Sequence, residues 1–387
     1  MENEKVVVIH YGEIGLKGKN REFFERRLIT TINAALKELT KNKAMRKYGR
    51  IILPLEGEEE KIKERLTHIC GIKYFSFAKI VPLEMEKIKE VALDMVKKKE
   101  GCFRVETSRS NKSFFLNSMD INQIVGEYIV QKTKRKVSLK NPDVTIFIEI
   151  CEKEAYIYSE KIQGIGGLPI IPSEKVVCLL SGGIDSAAAS FLMMKRGCKV
   201  IFIHFFNKTI HSSFVIKKIE RLVEMLSSYQ LKSKLYIIPF EDIQKEIIKK
   251  VPAKQRMIIY RRYMMRIANK IAIKEKANAV VTGDSVAQVA SQTLDNLKVI
   301  YDVSSLPVLP PLIGFDKEDI IKIAKKIGTY EISIMPYEDC CSFMIAKHPE
   351  TKAKKREIES LENILDIEEL INESVKNAKV LSIYPKW

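Results

Sequence analysis

Apolar positions along this chain alternate between two periods. KVVVIHY (5–11) is a short apolar run and reads as a strand. After the loop GEIGLKGKN (12–20), Phe24, Leu28, Ile32, Ala35 and Leu39 recur at helical spacing. RIILPL (50–55) predicts a second strand and EGEEE (56–60) a charged turn. These elements make a first block, 1–59.

The next hundred residues mix the two periods. EKIKERLTHICG predicts a helix stopped by Gly71, and IKYFSFAKIVPL a strand ended near Pro82. An amphipathic helix follows in MEKIKEVALDMVKKKEG, then a strand in FRVETSRS and a helix in NQIVGEYIVQKT. VSLKNPDVTIFIEICEKEAYIYSEKI has the alternation of a β-hairpin. Residues 60–163 therefore read as an α+β unit. The Gly- and Pro-rich stretch within 164–173 reads as a linker. Beyond it, in 174–387, the short runs VVCLL, KVIFIHFF, KLYIIPF and NAVVTGD are separated by helical stretches. Strands alternating with helices predict an α/β block, a parallel sheet covered on both faces.

Composition narrows the function classes. The 387 residues are 46% hydrophobic and 30% charged, as in ordinary globular proteins. No apolar run is long enough to span a bilayer, and MENEKVVVIHYGE lacks the basic start and long apolar stretch of a signal peptide. A cytoplasmic protein with no membrane partner is expected. Seven cysteines without any C-x-x-C argue against a disulfide framework or a structural zinc site. Only the adjacent pair Cys340-Cys341 stands out. The formal charge of +17 divides into +8 over 1–173 and +9 over 174–387. A basic excess spread so evenly suggests an extended polyanion laid across several domains. A Lys/Glu-rich surface is the plainer alternative.

The strongest motif is VVCLL-SGGIDS-AAASFLMMKRG. A buried strand ends at Leu180, a turn of Ser181, Gly182, Gly183, Ile184, Asp185 and Ser186 follows, and a helix runs to Gly197. Glycines let backbone N–H groups approach phosphate oxygens, and the helix N-terminus adds its positive dipole end. Ser186 is placed to cap the helix or to bond phosphate. The turn lacks the G-K-[ST] ending of a Walker A loop.

SGGIDS resembles the PP-loop of the ATP pyrophosphatase superfamily. YGEIGLKGKNREFFERRL (11–28) resembles the N-terminal signature of tRNA 4-thiouridine synthetases. FRVETSRSNKSF with VSLKNPDVTIFIEI resembles the RNA-binding THUMP domain. MIIYRRYMMRIA (257–268), VVTGDSVAQVASQTL (280–294) and PYEDCCSFMIAKHP (336–349) resemble further stretches of the same catalytic domain. The resemblance implies a Rossmann-like parallel-sheet PP-loop domain preceded by ferredoxin-like and THUMP domains. It implies a nucleotide site for ATP at Leu179, Leu180, the SGGIDS turn, His204, Phe205, Arg261, Gly283 and Gln292. Phe205 is expected to pack on the base, Arg261 to neutralise phosphate, and Gly283 to let the backbone pass close to the ligand. Mg²⁺ is expected beside Asp185 and Asp284.

The chemistry implied is ATP-dependent: O4 of uridine 8 in tRNA is adenylated and then replaced by sulfur. Cys340 matches the catalytic cysteine that carries a persulfide; Cys341 has no assigned role. The chain ends too soon for the rhodanese domain of longer members, so a cysteine desulfurase or a separate rhodanese-like carrier is expected to supply sulfur. The family's link to thiamine biosynthesis stays open for the same reason. RNA contacts are expected at Lys17, Lys19, Arg21, Arg104, Arg109, Lys112, and the run Lys132, Lys134, Arg135, Lys136. A stripe of Arg262, Arg266 and Lys270 on one helix is expected to add phosphate contacts. A homodimer, one chain gripping the acceptor end while the other performs chemistry, is expected by resemblance. The alternatives are another PP-loop tRNA-modifying enzyme or a non-catalytic tRNA-binding protein.

Overall fold

β1 (Lys5–Tyr11) is the central strand of the first sheet's amino-terminal part, as its run of valines favours. The computed structural model describes residues 4–207, 213–336 and 346–387. The chain divides into two compact units, Met1–Pro169 and Ile170–Trp387.

In the first unit α1 (Arg21–Leu36) buries Leu28, Ile32 and Ala35 of the expected stripe and adds Leu36, while Phe24 is half-buried and Leu39 falls beyond the helix end. β2 (Met45–Lys47) and β3 (Arg50–Pro54) follow, then α2 (Glu59–Thr67) and the eleven-residue β4 (Ile72–Pro82). β1 pairs antiparallel with β3 on one side and β4 on the other. The unit continues through α3 (Met85–Lys97), β5 (Phe103–Arg109), α4 (Ser118–Thr133), β6 (Val144–Ile150), β7 (Glu154–Tyr158) and the short β8 (Ile162–Gln163). β4 also pairs with β7, so the first two sequence blocks share one eight-stranded sheet, β2-β3-β1-β4-β7-β6-β5, with β8 beside β4. α3 and α4 bury Ile88, Val96, Ile121, Val125 and Ile129 against β5–β7. Asn117 starts α4 with a reciprocal cap: its side chain accepts from the N–H of Asp120, whose carboxylate accepts from the N–H of Asn117.

One buried polar group in this sheet is Glu149. It accepts from Tyr158 Oη at 2.6 Å, pairs with His10 Nε2 at 2.9 Å, and meets the Arg50 guanidinium. Burial alone would raise its carboxyl, but these partners hold it down to about 2.

The second unit opens with β9 (Ile171–Leu179), so its sheet starts inside the segment expected as linker; Ile171 already pairs with Cys198. α5 (Ile184–Lys195), β10 (Cys198–Phe206), α6 (Ser213–Ser227), β11 (Ser233–Pro239), α7 (Glu241–Lys250), the 23-residue α8 (Ala253–Glu275) and β12 (Ala279–Val281) follow. Then come α9 (Leu294–Tyr301), β13 (Val308–Leu309), α10 (Lys317–Lys326), α11 (Tyr330–Ser333), α12 (Lys355–Glu362), α13 (Ile367–Lys376) and β14 (Lys379–Ile383). The strand order is β13-β12-β9-β10-β11-β14, with the first five parallel. β14 departs from the parallel expectation: it pairs antiparallel on the edge of β11. An edge strand makes one ladder, so KVLSI needs little apolar character, and its lysine and serine hide it from the pattern. One sheet face, with Val177, Ile201, Ile203, Phe205, Tyr236 and Ile238, buries against α7 and α8. Among the described residues no helix is long and apolar enough to cross a membrane.

Candidate active site

β9 delivers Leu179 and Leu180 to the carboxyl edge of the sheet, and the chain turns at Ser181-Gly182-Gly183 into α5. Gly182 has φ of +92°, a conformation costly for a side chain with Cβ, and Gly183 is the N-cap. The turn is drawn tight by two hydroxyls. Ser186 Oγ accepts the N–H of Ser181 at 3.2 Å, and Ser181 Oγ accepts the N–H of Gly183 at 3.3 Å. Ser186 is therefore not the cap: it sits buried inside the first turn of α5 and ties the loop back on itself. What faces outward is the amino end of a twelve-residue helix behind a Gly-Gly backbone, a place built for an anion.

β12 ends beside this turn. A Cβ built on Gly283 would lie 2.8 Å from the Ser186 nitrogen and 3.0 Å from the Asp185 carbonyl carbon. The glycine thus lets two protein backbones approach each other, not only backbone and ligand. On the other side β10 brings His204 and Phe205. The carbonyl of Leu180 accepts from His204 Nδ1–H at 2.9 Å; a carbonyl can only accept, so Nδ1 carries a proton. The ring of Phe205 is not left open for a base. It is buried, edge-on to Phe240 with centroids 5.0 Å apart, because alternate residues of a strand face opposite sides of the sheet. Phe205 can offer its backbone at the strand end.

Arg261, on α8, donates to both oxygens of Asp284, at 2.8 and 2.6 Å, and to the carbonyl of Ser291 at 3.2 Å. Asp284 also accepts from Gln292 Nε2 at 3.1 Å and from Tyr301 Oη at 2.6 Å. Burial raises the Asp284 carboxyl, but Arg261 and the hydroxyls of Tyr301 and Thr282 outweigh it and hold the group below its ordinary value. Two residues expected at the nucleotide, Arg261 and Gln292, are therefore brought together by a third. Tyr301 completes the cluster and carries no motif signal; only the fold brings α9 under β12.

Asp185 stands in the first turn of α5. Its carboxylate accepts from Lys317 Nζ at 2.6 Å and from Gln288 Nε2 at 2.9 Å. Lys317 opens α10, more than a hundred residues away in sequence, and no local pattern pointed to it. The donor set fits Mg²⁺ poorly. Asp284 is enclosed by its donors and Asp185 is engaged by a lysine. Cys340 and Cys341 lie outside the described residues.

The arginine stripe is corrected by the structure. Arg262 is 1% exposed; it donates through Nε and Nη2 to Glu362 at 3.0 and 2.8 Å, and through Nη1 to the Val299 carbonyl at 2.6 Å. Arg266 makes a bidentate pair with the same Glu362 at 2.6 and 2.9 Å, and Lys270 binds Glu368 at 2.9 Å. Arg262 is withdrawn as an RNA contact: a buried guanidinium sharing a carboxylate cannot reach phosphate, and the stripe binds α12 and α13 to α8.

In the first unit the basic candidates separate by chemistry. The arginines hold their own chain. Arg21 binds Glu25 at 2.8 Å, Arg104 binds Glu106 at 2.9 Å, Arg109 holds the carbonyls of Phe114 and Leu116, and Arg135 the carbonyl of Val96 at 2.7 Å. Lys17 is half-buried over Phe24 and 3.3 Å from Glu13. Lys19, Lys112, Lys132, Lys134 and Lys136 are exposed. Close by in sequence, Phe115 is 76% exposed, an aromatic face the motif reading passed over.

Residues 171–367 match the family model described as thiamine biosynthesis protein (ThiI), residues 6–76 the ThiI ferredoxin-like domain, and residues 84–160 the THUMP domain. A probable tRNA sulfurtransferase of Caldanaerobacter subterraneus subsp. tengcongensis is 44% identical over 369 residues, covering 95% of this chain and 97% of that protein. One from Acetivibrio thermocellus is 44% identical over 390 residues, covering 98% and 99%. The crystal structure of a 4-thiouridine synthetase–RNA complex with bound ATP superposes with a TM-score of 0.89 at 36% identity, covering 98% of this chain and all of that one.

Proposed function

The chain belongs to the tRNA sulfurtransferase family, and from that premise we propose that it uses ATP to convert uridine 8 of tRNA to 4-thiouridine at the turn between β9 and α5. The observation that carries the site assignment is the convergence of that turn, Gly283 and the Arg261–Asp284–Gln292 cluster on one edge of the sheet. The N–H groups of the turn and the amino end of α5 hold phosphate oxygens, and the backbone of Leu179, Leu180 and Phe205 lines the edge where the base lies. Arg261, aimed by Asp284, and Lys317, held by Asp185, bring positive charge to the reacting phosphate. Mg²⁺ is left to the nucleotide phosphates, and no step here needs a protein-bound ion.

The chemistry runs in two displacements. O4 of the uracil attacks the α-phosphorus of ATP, and pyrophosphate leaves. The terminal sulfur of a Cys340 persulfide then adds to C4, and AMP leaves with the former O4. An external thiol cleaves the remaining S–S bond, so the thiocarbonyl is released and Cys340 ends in a disulfide with that thiol, to be reduced and recharged. A cysteine desulfurase or a rhodanese-like carrier supplies the persulfide sulfur. A base at position 8 must leave its stack to reach the turn. The exposed lysines of the first unit meet the tRNA backbone and Phe115 offers a stacking face. A homodimer shares the work, one chain holding the acceptor end.

The test is mass analysis of nucleosides from unmodified tRNA incubated with protein, ATP and a sulfur source. 4-Thiouridine and stoichiometric AMP are expected. Cys340→Ser is expected to lose thiolation while adenylation and tRNA binding persist, and Asp185→Ala to lose adenylation first. A Cys340→Ser protein that thiolates at the wild-type rate removes the persulfide assignment.

A further inference from the structure

We infer that the two loops flanking the phosphate turn on its β12 side form the receptor for the target uracil, with Phe315 as its stacking face and Gln288 as the acceptor for its N3–H. The inference rests on the reaction proposed above and names the part of that site that holds the second substrate. Adenylation requires O4 of the base within bonding reach of the α-phosphorus, so the base must lie against the phosphate turn. In the sheet order, β10 and β12 stand on opposite sides of β9. The β10 side carries the strand end assigned to the base of ATP, which leaves the β12 side for the uracil.

That side is built from two loops, 285–292 and 312–317, and they are joined to each other. The N–H of Val286 donates to the Ile313 carbonyl at 3.2 Å, and Ser285 Oγ to the Phe315 carbonyl at 2.9 Å. Both loops also reach the same carboxylate in the turn: Asp185 accepts from Lys317 Nζ at 2.6 Å and from Gln288 Nε2 at 2.9 Å. Leu312, fully buried, roots the second loop. Beside these polar contacts the surface is apolar. Val289 is 52% exposed, and Val286, Ile313 and Phe315 are 38–39% exposed. Four exposed apolar side chains on two joined loops make a patch. On a chain of net charge +17, a patch without charge is not where phosphates are held. Its continuity with the turn decides the occupant. A base taken out of its stack is received between apolar and aromatic side chains and read along its Watson–Crick edge, and uracil is neutral and flat.

Gln288 supplies the reading. The residue before it, Ala287, holds φ of +63°, a conformation rare for a residue with Cβ, and its N–H donates to the Gln292 carbonyl at 3.1 Å. A carboxylate can only accept, so the Gln288 amide turns its NH₂ to Asp185 and keeps Oε1 as an acceptor. In uracil N3–H adjoins C4, so a base whose O4 faces the turn presents N3–H to the turn's flank. An acceptor there suits uracil and opposes cytosine, whose N3 is itself an acceptor.

The experiment is single-turnover thiolation of unmodified tRNA by the full-length protein at saturating ATP and tRNA, with both affinities measured in parallel. Phe315→Ala is expected to slow turnover about tenfold or more, the scale of one lost base–aromatic stack, with ATP and tRNA affinities held. Phe315→Tyr, which keeps the ring, is expected to recover most of the lost rate. For Gln288 the probe is tRNA with 3-methyluridine at position 8, which keeps O4 and lacks N3–H. Wild type is expected to convert it about tenfold or more slowly than uridine, and Gln288→Ala to lose that preference. A Phe315→Ala protein that turns over at the wild-type rate overturns the stacking face. Loss of its ATP affinity, or a changed oligomeric state in sedimentation, also overturns it, by giving the patch to support of the turn or to a second copy of the chain. Undiminished discrimination in Gln288→Ala overturns the reader. Failure of the proposed function is read separately, in a wild type that forms no 4-thiouridine.

Discussion

Arg262 and Glu362 stand a hundred positions apart, yet they decide what the basic face of α8 does. Two guanidiniums share one carboxylate, which burial would raise and which both arginines hold below its ordinary value. Removing one guanidinium leaves α12 facing α8 with a thinner charge balance and a Val299 carbonyl without its donor. Arg262→Met is expected to lower unfolding free energy by about 3 kcal/mol, as when a buried pair loses a partner, with tRNA affinity unchanged. Urea unfolding and tRNA filter binding check it; wild-type stability with lost tRNA affinity would return Arg262 to the RNA surface. The stripe's helical spacing was plain in the sequence. Its burial was not, because the partner carboxylate lies in a distant helix and no local pattern records such pairings. Asp284 is the same lesson in reverse: its place in V-V-T-G-D was legible, but its four-donor cage depends on Tyr301 and Gln292 arriving from the chain that follows.

Among the elements, the β9–turn–α5 unit was the most readable, since a five-residue apolar run, two glycines and a helical period adjoin within twenty residues. The element that constrains it from the side was readable only as a motif. Gly283 lies two residues past the end of β12 and against the first turn of α5, where an added Cβ would fall 2.8 Å from a backbone nitrogen. Gly283→Ala must push one backbone away from the other. It is expected to cost about 1–3 kcal/mol in unfolding free energy, the ordinary penalty of overpacking. The displacement falls on the amino end of α5, so ATP affinity is expected to drop while tRNA affinity holds. Calorimetry with ATP and a parallel tRNA titration separate the two, and an undiminished ATP affinity would remove α5 from the site. β2, β8, β13 and β14 went unread because strands of two to five residues at sheet edges need little apolar patterning. The shared sheet of the first unit was hidden for another reason: β4 is one unbroken run, and which neighbours it takes on its two edges is set by tertiary pairing.

For the molecule as a whole, the +17 charge announced a polyanion partner but not which charges meet it. The structure sorts them by side-chain chemistry. Arginine's fixed fork suits carbonyls and carboxylates of its own chain, and Arg21, Arg104, Arg109 and Arg135 are used that way. The lysines at 19, 112, 134 and 136 keep flexible ammoniums in water, available to phosphates at little cost in order. If those lysines carry the electrostatic part of tRNA binding, affinity falls with salt through release of the counterions they displace. Replacing the four by alanine is expected to flatten the plot of log affinity against log salt by roughly one unit for each that meets a phosphate. Thermal stability should hardly move, because exposed charges contribute little to folding. Arg104→Ala and Arg109→Ala are expected to do the opposite, lowering stability while leaving the salt slope in place. An unchanged slope in the fourfold lysine variant would shift the polyanion's footprint away from these four lysines.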